Sequence, residues 1–249
     1  MANDYDRAVR GQAAQTALYD EGLRAYMLRV YNYMLIGLGL TGTTAWITAN
    51  VPAVRNIFYT VQMTSQGPAM GLSGLGWLAL LAPIGFVLFL SFRINKMSVQ
   101  AAQTTFWAYA ALVGVSLAPI LLLYTGASVA EVFFITAATF GAMSLYGYTT
   151  KSDLSSWGSF LFMGLIGIIL AMVVNFFLHS AMMQFVISVI GVLIFTGLTA
   201  YDTQSIKESY SANMDGAAQG RGAIIGALRL YLDFINLFIM LMQLLGNRR

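Results

Sequence analysis

Two aspartates stand where a carboxylate is costly. Asp202 closes the apolar run that ends at Tyr201, and Asp233 lies inside the run Leu230-Tyr231-Leu232-Asp233-Phe234-Ile235-Asn236. An ionisable group at membrane depth costs about 2.5 to 3.5 kcal/mol even on the lenient insertion scale, so such groups tend to face a bundle interior and mark a pathway. If the helix carrying Asp233 begins near Ala223, a rise of about 1.5 Å per residue puts this carboxyl roughly 15 Å along it. Arg229, Asp233, Asn236, Met240 and Gln243 follow i+4 and i+3 steps and form one polar stripe, which places this helix against protein rather than lipid. Two arrangements fit. Arg229 and Asp233 can neutralise each other as an i, i+4 pair, with Asp202 solvated at a helix end. Alternatively, Asp202 and Asp233 approach each other across two helices; close carboxylates disfavour double ionisation and share a proton, so the pair would titrate jointly and sense pH.

The elements that must position these groups are membrane helices. The chain has 249 residues, of which 58% are hydrophobic and 9% charged, against roughly 25% charged in an ordinary soluble domain. Seven apolar stretches approach the ~20 residues needed to cross a bilayer. They cover about 30–49, 73–92, 105–124, 129–148, 157–178, 183–201 and 223–245. The runs are too long for barrel strands of about ten residues and show no sustained period of two. The sequence therefore predicts an all-α membrane protein, a seven-transmembrane-helix bundle over residues 30–249 preceded by an N-terminal cytoplasmic tail over 1–29. That tail has mixed charge and no secretory-signal pattern, and is expected to be partly disordered before an interfacial turn near Tyr26, Leu28, Tyr31 and Tyr33.

Orientation follows from the cations. With the N-terminus cytoplasmic, that side receives Arg7, Arg10, Arg24, Arg29, Arg93, Lys96, Lys151, Lys207 and Arg221, and the far side only Arg55, Arg248 and Arg249. The last two run against the rule. Thirteen dispersed Lys and Arg residues and a net charge of +3 do not make a nucleic-acid surface.

The remaining motifs carry less. Gly37, Gly39 and Gly42 match a dinucleotide fingerprint in spacing but lack its strand and soluble helix, so they are expected to serve helix packing, as are Gly222 and Gly226. Pro83 and Pro119 each remove one helix hydrogen bond. The resulting kinks can form a gate or simply fit a helix to its neighbours. His179 is the only histidine and is expected at an interface; without cysteine there is no thiolate or Cys-type zinc site. No nucleophile, base and orienting group occur at recognisable spacing, so an enzyme is disfavoured and no cofactor is expected.

Tyr201-Asp202-Thr203-Gln204 and Leu230-Tyr231-Leu232-Asp233-Phe234-Ile235-Asn236-Leu237-Phe238 resemble the signature of the Bax inhibitor-1 family, also called the transmembrane Bax inhibitor motif family; Ser116, Ala118, Pro119 and Ile120 resemble a weaker element of it. The resemblance extends from about Tyr33 to the C-terminus. It implies a seven-helix bundle whose last helix is central and surrounded by the other six, conducting a pH-sensitive calcium leak across a bacterial inner membrane. Asp202 and Asp233 would form the di-aspartyl sensor and offer oxygen to calcium, with Asn236 as polar lining. A basic residue near the inner end of the second span would pair with the sensor, and Arg93 is the candidate. Arg229, one turn before Asp233, departs from the family pattern and would alter the pH window. The alternative is an interaction protein, resembling relatives that modulate a membrane protease or a cell-death or stress partner.

Overall fold

The computed structural model describes residues 2–64 and 67–249. Helix α1 (Ala2–Asn50) is followed by α2 (Pro52–Phe58), a hairpin of β1 (Tyr59–Thr64) and β2 (Gly67–Leu72), and α3 (Gly74–Arg93). A 3-10 turn (Ile94–Lys96) leads into α4 (Val99–Leu123), α5 (Gly126–Thr149), α6 (Ser155–Leu178), α7 (Ala181–Glu208) and α8 (Gly216–Leu245). Each of the seven apolar stretches lies in a helix. Five of them, α4 to α8, are long and apolar enough to cross a bilayer alone. Tyr19–Asn50 of α1 and α2, meeting at a 96° bend, make a sixth candidate, and α3 holds a shorter apolar stretch, Gly74–Leu90.

Polar residues at the breaks start these helices. Ser73, Ser98, Thr125, Ser180 and Asp215 each accept a hydrogen bond from the backbone N–H three residues on, closing one of the donors a helix start leaves open. Helix α6 has no such cap of its own. It ends at His179, whose φ of 51° puts it in the left-handed region and whose side chain is exposed.

Helix α8 is central. It packs on α1, α4, α5 and α7, and Ile224, Leu230, Tyr231, Leu237 and Met242 on it are fully buried. The expected ring of six is incomplete, because α3 packs on α4 and α6 on α7 as outer helices. The expected irregular tail also differs from the structure. Residues before Val30 continue α1, and Leu23, Tyr26 and Met27 are buried, with Tyr26 stacked at 5.4 Å on Tyr210, the residue that follows α7 by two positions. Apolar positions at Leu23, Tyr26, Met27 and Val30 keep helical spacing, so one face of this segment has a core to bury.

Apolar area does not drive helices together in lipid; close approach and polar contacts do. A Cβ on Gly114 of α4 would run into the Thr41 carbonyl and Thr44 hydroxyl of α1, and the closeness lets Thr41 and Thr44 reach across. Thr41 Oγ1 donates to the Ala110 carbonyl at 2.8 Å and accepts from the Tyr231 hydroxyl at 2.6 Å, while Thr44 Oγ1 lies 3.0 Å from the Ala111 carbonyl. Among the glycines expected to serve packing, Gly37 meets Phe106 and Tyr231, Gly222 meets Tyr26 and Gly226 meets Ile206. Gly39 and Gly42 do not pack: nothing lies within 4 Å of a Cβ built on either.

Both helix prolines are compensated in the same way. Pro83 leaves the Ala79 carbonyl without an amide donor, and Ser116 of α4 donates its hydroxyl to that oxygen at 2.9 Å. Pro119 leaves the Val115 carbonyl open, and Tyr59 of the hairpin donates to it at 2.9 Å. The kinks are thus tied to neighbouring elements by hydroxyls that replace the missing N–H.

The C-terminal residues are held too. Arg248 bridges Tyr124 in antiparallel fashion, Thr125 N–H donates to the Asn247 carbonyl at 3.0 Å, and the Arg248 guanidinium lies 5.9 Å from the Tyr124 ring centroid. One of the two arginines that run against the charge rule therefore has an aromatic partner.

Candidate functional site

Helices α7 and α8 form one of the most extensive contacts in the bundle and bring the two aspartates together. The Asp202 and Asp233 carboxyl groups face each other within hydrogen-bonding reach. Such a bond exists only when one of the two carries a proton, since two carboxylates offer acceptors alone. Asp233 is 4% exposed and is the one carboxylate or cation among the buried side chains described. Its Oδ2 has no protein donor among the described residues.

The pair lies in a cleft of about 680 Å³ between α6 and α8, with α7 as its floor. Asp202, Asp233, Arg229 and Asn236 line it together with Ser159, Tyr201 and a set of apolar side chains from α6 and α7. Asn236 donates its Nδ2 to the Leu232 carbonyl at 2.8 Å, so its amide oxygen is the polar atom left for the cleft. Among the described residues, no group of three or more His, Cys, Asp or Glu could hold a metal ion.

The two candidate cations part company. Arg229 lines the cleft, yet no arginine or lysine nitrogen comes within 4.0 Å of a carboxylate oxygen among the described residues. The i, i+4 neutralisation of Asp233 is therefore not formed, and Arg229 acts on the pair through space rather than by contact. Arg93 does not line the cleft; it is exposed in the last turn of α3, an outer helix that packs on α4. The polar stripe of α8 divides in the same manner. Met240 packs where a Cβ on Gly191 would stand, and Gln243 accepts from Gln184 at 2.6 Å and Ser188 at 2.7 Å, so only its first half belongs to the site.

The run Tyr201-Asp202-Thr203-Gln204 works as a unit whose other members the sequence did not reveal. The Tyr201 ring fills the space beside Gly158 of α6. Thr203 donates to the Thr199 carbonyl at 2.7 Å and meets Ser144 of α5 at 3.0 Å, and Ser144 in turn lies 2.6 Å from the Tyr31 hydroxyl. Gln204 accepts from the Leu154 N–H at 2.8 Å and donates to the Ser152 carbonyl at 2.9 Å, supplying from α7 the cap that α6 lacks. These side chains hold the segments on both sides of Asp202, so its carboxyl is aimed by contacts to α5, α6 and the loop between them. A polar residue on each successive position of that run was the available signal.

A bundle with five helices long and apolar enough to cross a bilayer, packed around a central helix that buries an aspartate, is an all-α integral membrane protein. The family model described as "Inhibitor of apoptosis-promoting Bax1" matches residues 23–249. Among curated relatives, "Inner membrane protein YbhL" of Escherichia coli is 46% identical over 230 residues, covering 92% of this chain and 94% of YbhL. "Uncharacterized protein RP147" of Rickettsia prowazekii is 44% identical over 246 residues, 99% of each chain. A Caulobacter vibrioides protein is 43% identical over 246 residues, 98% of this chain and 97% of its own. The chain belongs to the Bax inhibitor-1 family.

Proposed function

We propose that this protein is a passive calcium leak whose conductance is set by the proton shared between Asp202 and Asp233. The observation that carries the reading is the meeting of the two carboxyls in a cleft within the bundle, with one oxygen of Asp233 lacking a donor among the described residues. A proton on the pair holds α7 against α8. Loss of that proton leaves two like charges in contact, which favours their separation and opens oxygen ligands to a cation. Calcium suits this donor set of two carboxylates and the Asn236 amide oxygen, with water completing the six to eight ligands it takes. So sparse a protein contribution favours passage over retention.

The location we propose is a bacterial inner membrane with the N-terminus cytoplasmic. The printed name of the Escherichia coli relative supports the first and the distribution of Lys and Arg the second. The test is calcium flux into liposomes containing only this protein at pH 6, 7 and 8, with Asp202→Asn and Asp233→Asn variants in parallel. Wild-type flux should change across this range, and each variant should lose the response. Flux whose pH response survives both substitutions would overturn the sensor. No flux from folded, inserted protein would transfer the function to binding a membrane partner, a protease or a cell-death or stress protein.

A further inference from the structure

A second pair of clefts lies on the opposite side of α8, along the boundary of α1 and α5. These two helices pack mainly on α4, α7 and α8, and the Tyr31–Ser144 hydrogen bond of 2.6 Å crosses the seam between them. The larger cleft, about 630 Å³, is lined by Arg24, Tyr31, Phe140, Gly141, Ser144 and Tyr148, among others. A smaller one of about 130 Å³ continues the seam past Gly42 and Phe133, over Phe234 and Phe238 of α8.

The seam has one polar, cationic end. Arg24 is exposed there, and among the described residues no carboxylate lies within 4.0 Å of it, although Asp20 and Glu21 stand one turn earlier on α1. Among the described residues, no acidic one lines either cleft. Lys207 adds a second cation at this end: its Nζ donates to the Tyr148 carbonyl at 2.8 Å and sits 5.4 Å from that ring. From Arg24 inward the walls are mostly apolar, and the hydroxyls of Tyr31 and Ser144 are turned to each other at 2.6 Å. Gly42 and Gly141 are exposed, and among the described residues no atom lies within 4 Å of a Cβ built on either, so these stretches of the cleft walls carry no side chain.

We infer that the α1–α5 seam is a binding site for an anionic phospholipid, its phosphate on Arg24 and one acyl chain along Tyr31 and Gly141. The depth agrees: the rise from Arg24 to Tyr31 along α1 is about 10 Å, within the roughly 15 Å of hydrocarbon that one leaflet contributes. Arginine is the side chain suited to phosphate, through two parallel charged hydrogen bonds. The chain rests on Phe140, whose ring packs 5.5 Å from that of Phe234, the residue after Asp233. Lipid occupancy therefore bears on the helix that carries the paired carboxyl.

The experiment is native mass spectrometry of the full chain in detergent, titrated separately with dioleoyl phosphatidylglycerol and dioleoyl phosphatidylcholine. A basic residue at the headgroup level is worth about 1 kcal/mol, so wild-type protein should prefer phosphatidylglycerol by about fivefold. Arg24→Gln should remove the preference, and Arg24→Lys restore part of it. A Cβ on Gly141 meets no described atom within 4 Å, and Gly141→Leu should weaken both lipids at an unchanged melting temperature. Equal binding of the two lipids to wild type, a preference that survives Arg24→Gln, or lipid binding indifferent to Gly141→Leu would each overturn the site. So would a dimer that Gly141→Leu dissociates, which would give the seam to a second copy of the chain. The readout is binding alone, and its failure leaves the flux reading untouched.

Discussion

Ser116 supplies to Ala79 the hydrogen bond that Pro83 withholds. The serine hydroxyl lies 2.9 Å from the Ala79 carbonyl, one turn before the proline and on a different helix. Removing it by Ser116→Ala leaves a carbonyl in a low-dielectric setting without a donor, at a cost of about 1 kcal/mol. The expected double-mutant cycle is diagnostic. In a Pro83→Ala background the amide N–H returns, so Ser116→Ala should cost less there, and the coupling read from thermal unfolding in detergent should be positive. Equal costs in both backgrounds would show that the serine does not act through this oxygen.

Tyr59 plays the same part for Val115, and its burial makes the bond pH-dependent. Desolvation pushes the Tyr59 phenol up to about 12, above the ordinary value near 10. The folded state therefore keeps a proton that the unfolded chain gives up, and stability present below pH 10 is lost as pH rises toward about 12. Tyr59→Phe removes this dependence together with the hydrogen bond. The variant should melt below wild type at pH 8, and the difference should shrink between pH 10 and pH 12. A constant difference across that range would place the phenol in water.

Such links explain where the sequence was legible and where it was not. Asp202 and Asp233 stood out because a charge inside an apolar run has few inexpensive explanations, and the stripe from Arg229 to Asn236 marked α8 as a helix with protein on its polar side. Period and spacing cannot say which neighbour a side chain meets. Met240 and Gln243 share the stripe but face α7, and Gly39 and Gly42 share a motif with Gly37 but bring no described neighbour within 4 Å of a built Cβ. Arg93 sits at the expected end of α3, yet α3 lies outside α4 and cannot deliver it to the pair. The hydroxyl partners of the two prolines are 37 and 56 residues from the carbonyls they satisfy, beyond the reach of any local pattern. No local pattern marks the hairpin either: Gly67 and Pro68 are turn-forming types, yet they begin β2 and pair with Thr64 and Met63.

Gln204 is expected to hold the α5–α6 loop and, through it, the wall beside Asp202. Gln204→Leu removes the acceptor of the buried Leu154 N–H and the donor to Ser152. The cost should be about 1 to 3 kcal/mol, the penalty for an orphaned backbone donor together with a lost cap. Hydrogen exchange locates the effect: the Leu154 amide and the first turn of α6 should exchange faster while the α1–α4 interface stays protected. Uniformly faster exchange along the chain would mean a global loss of stability, not the release of this loop.

The glycines separate by environment, and alanine reads the difference. At Gly39 nothing stands within 4 Å of the new methyl group, and exchanging glycine for alanine inside a helix gains roughly 0.5 to 1 kcal/mol through the lower entropy of the unfolded chain. At Gly114 the same methyl group meets the Thr41 carbonyl and the Thr44 hydroxyl. Helices α1 and α4 must then separate, and the 2.6 Å contact of Thr41 with Tyr231 lengthens or breaks. Overpacking of this kind costs about 1 to 3 kcal/mol. Gly39→Ala should raise the melting temperature in detergent and Gly114→Ala lower it. Because Tyr231 lies two residues before Asp233 on α8, Gly114→Ala should also shift the flux of the reconstituted protein, whereas Gly39→Ala should leave it unchanged. A Gly114→Ala variant with wild-type stability would show that α1 and α4 do not approach as closely as the Thr41–Ala110 bond requires.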